Sequence, residues 1–278
     1  MTLTVEAFPG SDVDAPFVDV LVSGFPVGTD SFTVRRASGG RSFPVRGLAQ
    51  GRAAGAASVR DYEAGIGVLS SYRTEFFDVE GLSLGFDSPV EVMLPAVSDV
   101  WGDSVAWFHD PLDPSTSVRV SLSGGAGHPI SRPIGGDVVY PQGRSLGVVF
   151  PGTRQGVRRL TLDCVTESDV DGARFDALFG GYDSDALGIV CVRARPRTRF
   201  PSPLFAFIGE PVSQARDYDS WALNWALEGD EVSPPVPAIV VPLLTYQDHT
   251  DFYATYQEFT DAYPDYITGT RDYTVKES

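Results

Sequence analysis

A chain of 278 residues with 42% hydrophobic and 12% aromatic side chains is too apolar for a disordered protein and long enough for about two domains. Its formal charge of −16 repels phosphate backbones, which argues against nucleic-acid binding over a broad surface. The 29 glycines and 21 prolines, spread along the whole length, leave little room for long helices, so an all-β architecture of short strands and tight turns is expected.

The opening MTLTVEAFPGS has no basic n-region and no apolar h-region, and no uncharged apolar run approaches the ~20 residues that a membrane span needs. Synthesis in a cytoplasm and no membrane span are the expectation. Strands follow in order. Phe17, Asp19 and Leu21 alternate with Val18, Val20 and Val22, and residues 58–63, 69–74 and 90–94 alternate in the same way. PGSD, SGG and VEG supply the glycine and Asp/Ser positions of the turns between them, which suggests a seven-strand sandwich.

Around residues 101–116 two Asp-Pro steps, Asp110-Pro111 and Asp113-Pro114, push the chain into extended or turn geometry. A domain junction is expected there, giving residues 1–112, a second β domain over 113–242, and a C-terminal tail over 243–278. In the second domain residues 117–123, 146–150, 158–166 and 187–193 read as strands. Residues 170–179 read as one short helix, with Ser168 as N-cap and Phe175, Leu178 and Phe179 on one side. Arg193, Arg195, Arg197 and Arg199 alternate strictly, so they are expected on one face of a single strand, as a solvated edge or an inter-subunit surface. Cys164 and Cys191 each fall inside a strand and suit small buried hydrophobes better than a disulfide or a metal site.

The tail repeats a ten-residue unit, TYQDHTDFYA then TYQEFTDAYP. Each unit opens with a capping box, Thr245 with Asp248 and Thr255 with Glu258. Tyr246, His249, Tyr253, Tyr256, Phe259 and Tyr263 then form an aromatic stripe at helical spacing. Helices this short are unstable alone, so the stripe is expected to pack within the chain or on a neighbouring subunit.

Chemistry-bearing motifs are weak. Gly143-Arg144-Ser145-Leu146-Gly147 matches GxSxG, but a strand-like stretch follows where a nucleophile elbow requires a helix. Glu167 to Gly172 has the alternating acids of a calcium loop, yet Leu178 stands where the closing glutamate belongs. His109, His128 and His249 lie in unrelated segments without metal-ligand spacing, and His109 beside Asp110 reads as a polar residue at the domain junction. No catalytic residue, cofactor or metal ligand is assigned, and the chain is not expected to be an enzyme.

Several stretches, taken in order, resemble the minor or distal tail proteins of long-tailed (siphovirus) phages of actinobacteria. They are Val45-Arg46-Gly47, Asp61-Tyr62-Glu63-Ala64 leading to Tyr72, and the run from Trp107 to Pro114. The arginine-rich strand over 158–166 with its helix, and residues 190–203, continue the pattern. The tail repeat resembles the tandem Thr-Trp-x-Asp units of those proteins, with Tyr246 and Tyr256 in the tryptophan places; Ala64-Gly65 replaces the Ala-Pro that the family favours. Asp61 through Tyr72 to Val79-Glu80-Gly81 also looks like the end of a fibronectin type III domain, and the second domain resembles the ring-forming domain of distal tail proteins.

The resemblance implies a fold of two β-sandwich or barrel-like domains with a short helical aromatic tail. It implies a structural virion protein of the phage tail tip, assembled in the host cytoplasm, that links the tail tube to hub and receptor-binding components. Its expected partners are copies of itself in a ring, hexameric or trimeric, together with tail tube, tape measure and hub or other minor tail proteins. Tyr246, Tyr253, Tyr256, Phe259 and Tyr263 are the docking candidates. A different class, a carbohydrate- or receptor-binding module, would use exposed tryptophans, of which Trp101 and Trp107 are the candidates and Trp221 and Trp225 read as core.

Overall fold

The computed structural model describes residues 2–11, 14–96, 105–181, 186–195, 201–216, 221–235, 253 and 256–263. Strands make up 52% and helices 6%, as the glycine and proline content led us to expect. The chain divides into two compact units, Met1–Pro234 and Pro235–Ser278.

Nine strands open the first unit: β1 (Thr2–Phe8), β2 (Phe17–Ser23), β3 (Ser31–Ser38), β4 (Arg41–Pro44), β5 (Gly51–Arg52), β6 (Ala56–Asp61), β7 (Leu69–Phe77), β8 (Ser83–Phe86) and β9 (Val90–Met93). They form an antiparallel sheet β1-β2-β6 and a second sheet β4-β3-β7-β8, with β5 pairing β3 and β9 pairing β7. Val18, Val20 and Val22 of one sheet and Phe32, Val34, Tyr72 and Phe76 of the other share a single buried cluster, because strand alternation turns every second residue inward. Gly39 and Gly40 both take positive φ in the two-residue turn between Ser38 and Arg41, the conformation that a tight hairpin needs.

The rest of the unit holds β10 (Val105–Asp110), β11 (Asp113–Leu122), β12 (Ile134–Val139), β13 (Val148–Arg154), β14 (Leu160–Thr161), β15 (Cys164–Thr166), α1 (Asp169–Ala177), β16 (Ile189–Ala194), β17 (Leu204–Ile208), β18 (Val212–Ala215), β19 (Leu223–Ala226) and β20 (Glu228–Glu231). Nine of these strands form one antiparallel sheet in the order β14-β20-β17-β16-β10-β11-β15-β19-β18. β14 and β15 are near neighbours in sequence, as are β19 and β20, yet each pair is split between the two ends of that order. The sheet therefore curls back on itself, with Leu160 opposite Gly229 and Cys164 opposite Trp225. Ser168 caps α1 by accepting from the Asp171 backbone N–H at 3.1 Å, while its hydroxyl donates to the Asp171 carboxylate at 2.7 Å. The helix plugs the curl: Phe175 packs edge-on against Phe108, Phe179 and Trp225, with ring centroids 5.0–5.5 Å apart.

Strand β10 serves both cores. Ala106 and Phe108 face the curled sheet's interior, whereas Trp107 belongs to the sandwich core. Residue 112, the expected domain boundary, lies in the β10–β11 turn, where Asp110 and Asp113 side chains accept from the backbone N–H groups of Leu112 and Ser115. Phe43 meets Phe205 at 6.0 Å, and Arg41 pairs with Glu231, tying β4 to the second sheet.

Candidate functional site

The expected docking residues lie in the tail, which is described only in part. Tyr246 and His249, and the capping residues Thr245, Asp248 and Thr255, lie outside the described residues; Tyr256 opens α2 (Tyr256–Ala262). Tyr253, Phe259 and Tyr263 pack on one another, with centroids 5.7 Å apart for Tyr253–Phe259 and 5.3 Å for Phe259–Tyr263. The Tyr253 hydroxyl donates to that of Tyr263 at 2.9 Å. Helical spacing thus gathers these rings into a cluster of the tail unit itself.

The tryptophans separate. Trp101 lies outside the described residues, and Trp107 is only 5% exposed. Trp225 is buried, and its Nε1–H donates to Thr166 Oγ1 at 3.1 Å. Trp221, expected to share its core position, is 73% exposed. Strand β19 begins only at Leu223, so the alternation that would have aligned the two rings does not reach Trp221.

Between the two cores lies a cluster of buried charges. Arg36 continues the inward row of Phe32 and Val34, and its Nη1 donates to both oxygens of Asp61 at 2.5 Å. Asp61 also accepts from the Tyr72 hydroxyl at 2.8 Å and from the Glu63 backbone N–H at 2.9 Å. Glu63 in turn binds Arg46 at 2.9 Å and lies 3.6 Å from Arg36. Burial works against the Arg36 charge, but Asp61 and Glu63 outweigh it and raise its pKa. Burial is the largest influence on Glu63 and pushes its carboxyl up despite Arg36 and Arg46.

Arg193, expected on a solvated or inter-subunit strand face, is fully buried. It sits opposite Trp107 in the β10–β16 ladder, on the face turned to the sandwich, and its Nη1 donates to the Pro16 carbonyl at 2.7 Å. The strand ends at Ala194, Arg195 follows it half-buried, and Arg197 and Arg199 lie outside the described residues. His109 and Cys191 are cross-strand partners on the same face. His109 has no hydrogen-bond partner at either ring nitrogen among the described residues, and burial followed by Arg193, Arg46 and Arg36 holds its pKa well below the usual value. Burial pushes the Cys191 and Cys164 thiols up, as suits inert core thiols. Among the described residues no three His, Cys, Asp or Glu side chains are placed to hold a metal ion. The signal for this cluster was present in the paired arginines: of Arg35 and Arg36 in one alternating strand, one must point inward.

A different feature is exposed. Among the described residues strands β12 and β13 pair only with each other, and a bridge between Ser131 and Arg158 marks the stem from which they extend. Val138 opposes Val149 and Val139 opposes Val148, so valines occupy both faces of the ribbon. All four are exposed, with Phe150 at 61% and Leu146 at 79%. Gly135 and Gly152 let the two backbones touch: a Cβ on Gly152 would lie 2.7 Å from the Gly135 carbonyl carbon. Ser145 lies in the connection of this hairpin, just past a turn closed by the Arg144 N–H donating to the Pro141 carbonyl at 3.1 Å. Residues 146–150 read from sequence as a strand, and the pattern GVVF signals burial on both faces; nothing local reveals that this burial is not provided within the described fold. Neither a known protein family, nor a curated protein, nor a solved structure matches this chain.

Proposed function

We propose that the protein is a structural component of a bacteriophage tail tip and builds a ring of its own copies through the β12–β13 hairpin. The observation that carries this reading is the ribbon's apolar exposure on both faces. A two-stranded hairpin is at best marginally stable alone in water, and exposed contiguous apolar surface of this kind marks an interface. Its outer edges also leave backbone groups free to pair with another chain. A hairpin reaching from one subunit to a different surface on the next makes a heterologous contact, the kind that closes into rings. A hexamer, with a trimer as the alternative, is the assembly in view.

Two antiparallel sheets, of three and six strands, packed over one apolar cluster support a fibronectin type III-like reading of the first core, with two short strands more than the seven of that arrangement. The curled sheet with its helix and projecting hairpin supports the ring-forming role of the second. In this reading the protein resides in the virion, touching tail tube, tape measure and hub or other minor tail proteins, and uses no cofactor. The test is native mass spectrometry of the full chain and of a V149D/F150D variant. Rings in the wild type and monomers in the variant, with unchanged β-type circular dichroism, are expected; a monomeric wild type, or a variant that still forms rings, would overturn the proposal.

A further inference from the structure

A cleft of about 620 Å³ opens where the outer face of the β1-β2-β6 sheet meets the start of β11 and helix α1. Three aromatic rings form its floor in a row. Phe8 stacks on Phe17 with centroids 4.8 Å apart and planes 14° from parallel, and Phe17 meets Tyr62 at 5.3 Å. The row follows from register: Phe8 and Phe17 are direct cross-strand partners on the face opposite the valine core, and Tyr62 follows the end of β6 beside them. Phe8 remains 37% exposed, so the floor is open to a ligand.

Two guanidinium groups border these rings. Arg60 lies with Cζ 5.0 Å from the centroid of Phe17, across the β2–β6 ladder from Asp19. Arg174 projects from the exposed side of α1. Among the described residues neither is ion-paired. Asp14, the carboxylate at the rim, is turned to Ser11, whose hydroxyl donates to it at 3.0 Å. In a chain of net charge −16, two arginines without a salt bridge in one cleft favour an anion there. The adjoining cavity of about 170 Å³ shares Ser117 and Arg174 with the cleft and extends it along β11 towards Trp107.

We infer that this cleft binds a short anionic saccharide. A pyranose ring packs its C–H face on an aromatic floor, the arginines fork onto its carboxylate or phosphate, and the flanking Ser115 and Ser117 lie where sugar hydroxyls come within reach. The cleft's size matches small-ligand sites. The inference does not rest on the ring reading, since it uses neither the hairpin nor the tail.

The experiment is isothermal titration of the full chain with tetragalacturonate, with its carboxyl-reduced neutral counterpart, with phosphorylated maltotetraose and with tetrathymidylate. Binding of at least one of the two acidic saccharides is expected, and the stronger of them identifies the preferred acid group. The neutral sugar should bind about tenfold or more weaker, and R60Q, R174Q and F8A should each weaken the acidic saccharide about tenfold, in keeping with the loss of one charge-assisted or stacking contact. All three substitutions are at exposed positions, so circular dichroism and oligomeric state should not change. No binding of either acid, equal binding of the neutral sugar, wild-type affinity in R60Q and R174Q, or a preference for tetrathymidylate would each overturn the inference.

Discussion

Two consecutive arginines in a strand of the sandwich force one guanidinium inward, and the molecule accommodates it by assembling Asp61, Glu63, Tyr72 and Arg46 around it. Removing one partner of such a buried pair costs about 3–5 kcal/mol, because the other charge is then left unpaired. His109 stands on the opposite layer with arginines on its side: Arg193 from β16, Arg36 from β3 and Arg46 from the loop after β4 all disfavour its proton, and burial disfavours it more. The unfolded chain therefore takes up a proton near the ordinary histidine pKa while the folded chain does not. Stability from this group is complete above about pH 6.5 and falls as the pH drops below it, by about 1.4 kcal/mol per pH unit. Glu63, whose pKa is raised, has the opposite sign: its buried charge costs stability near neutrality, and that cost is relieved as the pH falls through its raised value. Urea unfolding of the wild type and of H109L at about pH 7.5 and about pH 5.5 separates the two. The wild type should lose stability between them and H109L should lose clearly less; an equal loss in both would remove His109 as the cause. At this scale the sequence was a partial guide. Cys164, Cys191 and the Ser168 cap are where local pattern put them, whereas Arg193 was misplaced because alternation tells which residues share a face but not which face meets a second layer.

Single elements were most legible where local chemistry decides them. The turn at Gly39-Gly40, the Asx turns around Asp110 and Asp113, and helix α1 all follow from residues within a few positions of one another. Residues 158–166, read as one strand, are two, because the chain steps between them at Leu162, whose N–H donates to the Leu227 carbonyl at 2.9 Å. That step is a consequence of the curl and has no local signal. Helix α1 offers a direct measure of its packing. Its hydrophobic content is small, and Gly172 lies so close to β19 that a Cβ there would sit 2.8 Å from Leu223 Cδ1, so docking rests mainly on Phe175. Phe175→Ala should cost about 3–5 kcal/mol by urea unfolding, whereas Ser168→Ala should cost about 1 kcal/mol. Equal, small effects would mean that the helix is not what fills the curled sheet.

For the whole molecule, the division after Pro234 matters more than the step between the two cores. Those cores are joined through β10, the Arg41–Glu231 pair and the Phe43–Phe205 contact, while the tail forms a unit of its own with its own aromatic cluster. The sequence showed the tail repeat and its helical spacing clearly. It did not show that Tyr253, Phe259 and Tyr263 turn their rings towards each other, since spacing defines a face but not what covers it. This arrangement separates two roles that an aromatic stripe alone leaves merged. If the ring is built by the exposed hairpin and the tail serves to dock on neighbouring tail-tip proteins, the two functions are lost by different changes. Truncation after Leu244 should leave β-type circular dichroism and the number of subunits per ring unchanged, because the residues of the two core clusters and of the hairpin all precede it. It should nevertheless abolish incorporation into tails, measured by the protein's presence in purified particles after complementation with the truncated form. The V149D/F150D variant should fail earlier, at the ring. A truncated chain found only as monomer would move self-association to the tail, and one incorporated at the wild-type level would leave the tail without a docking role.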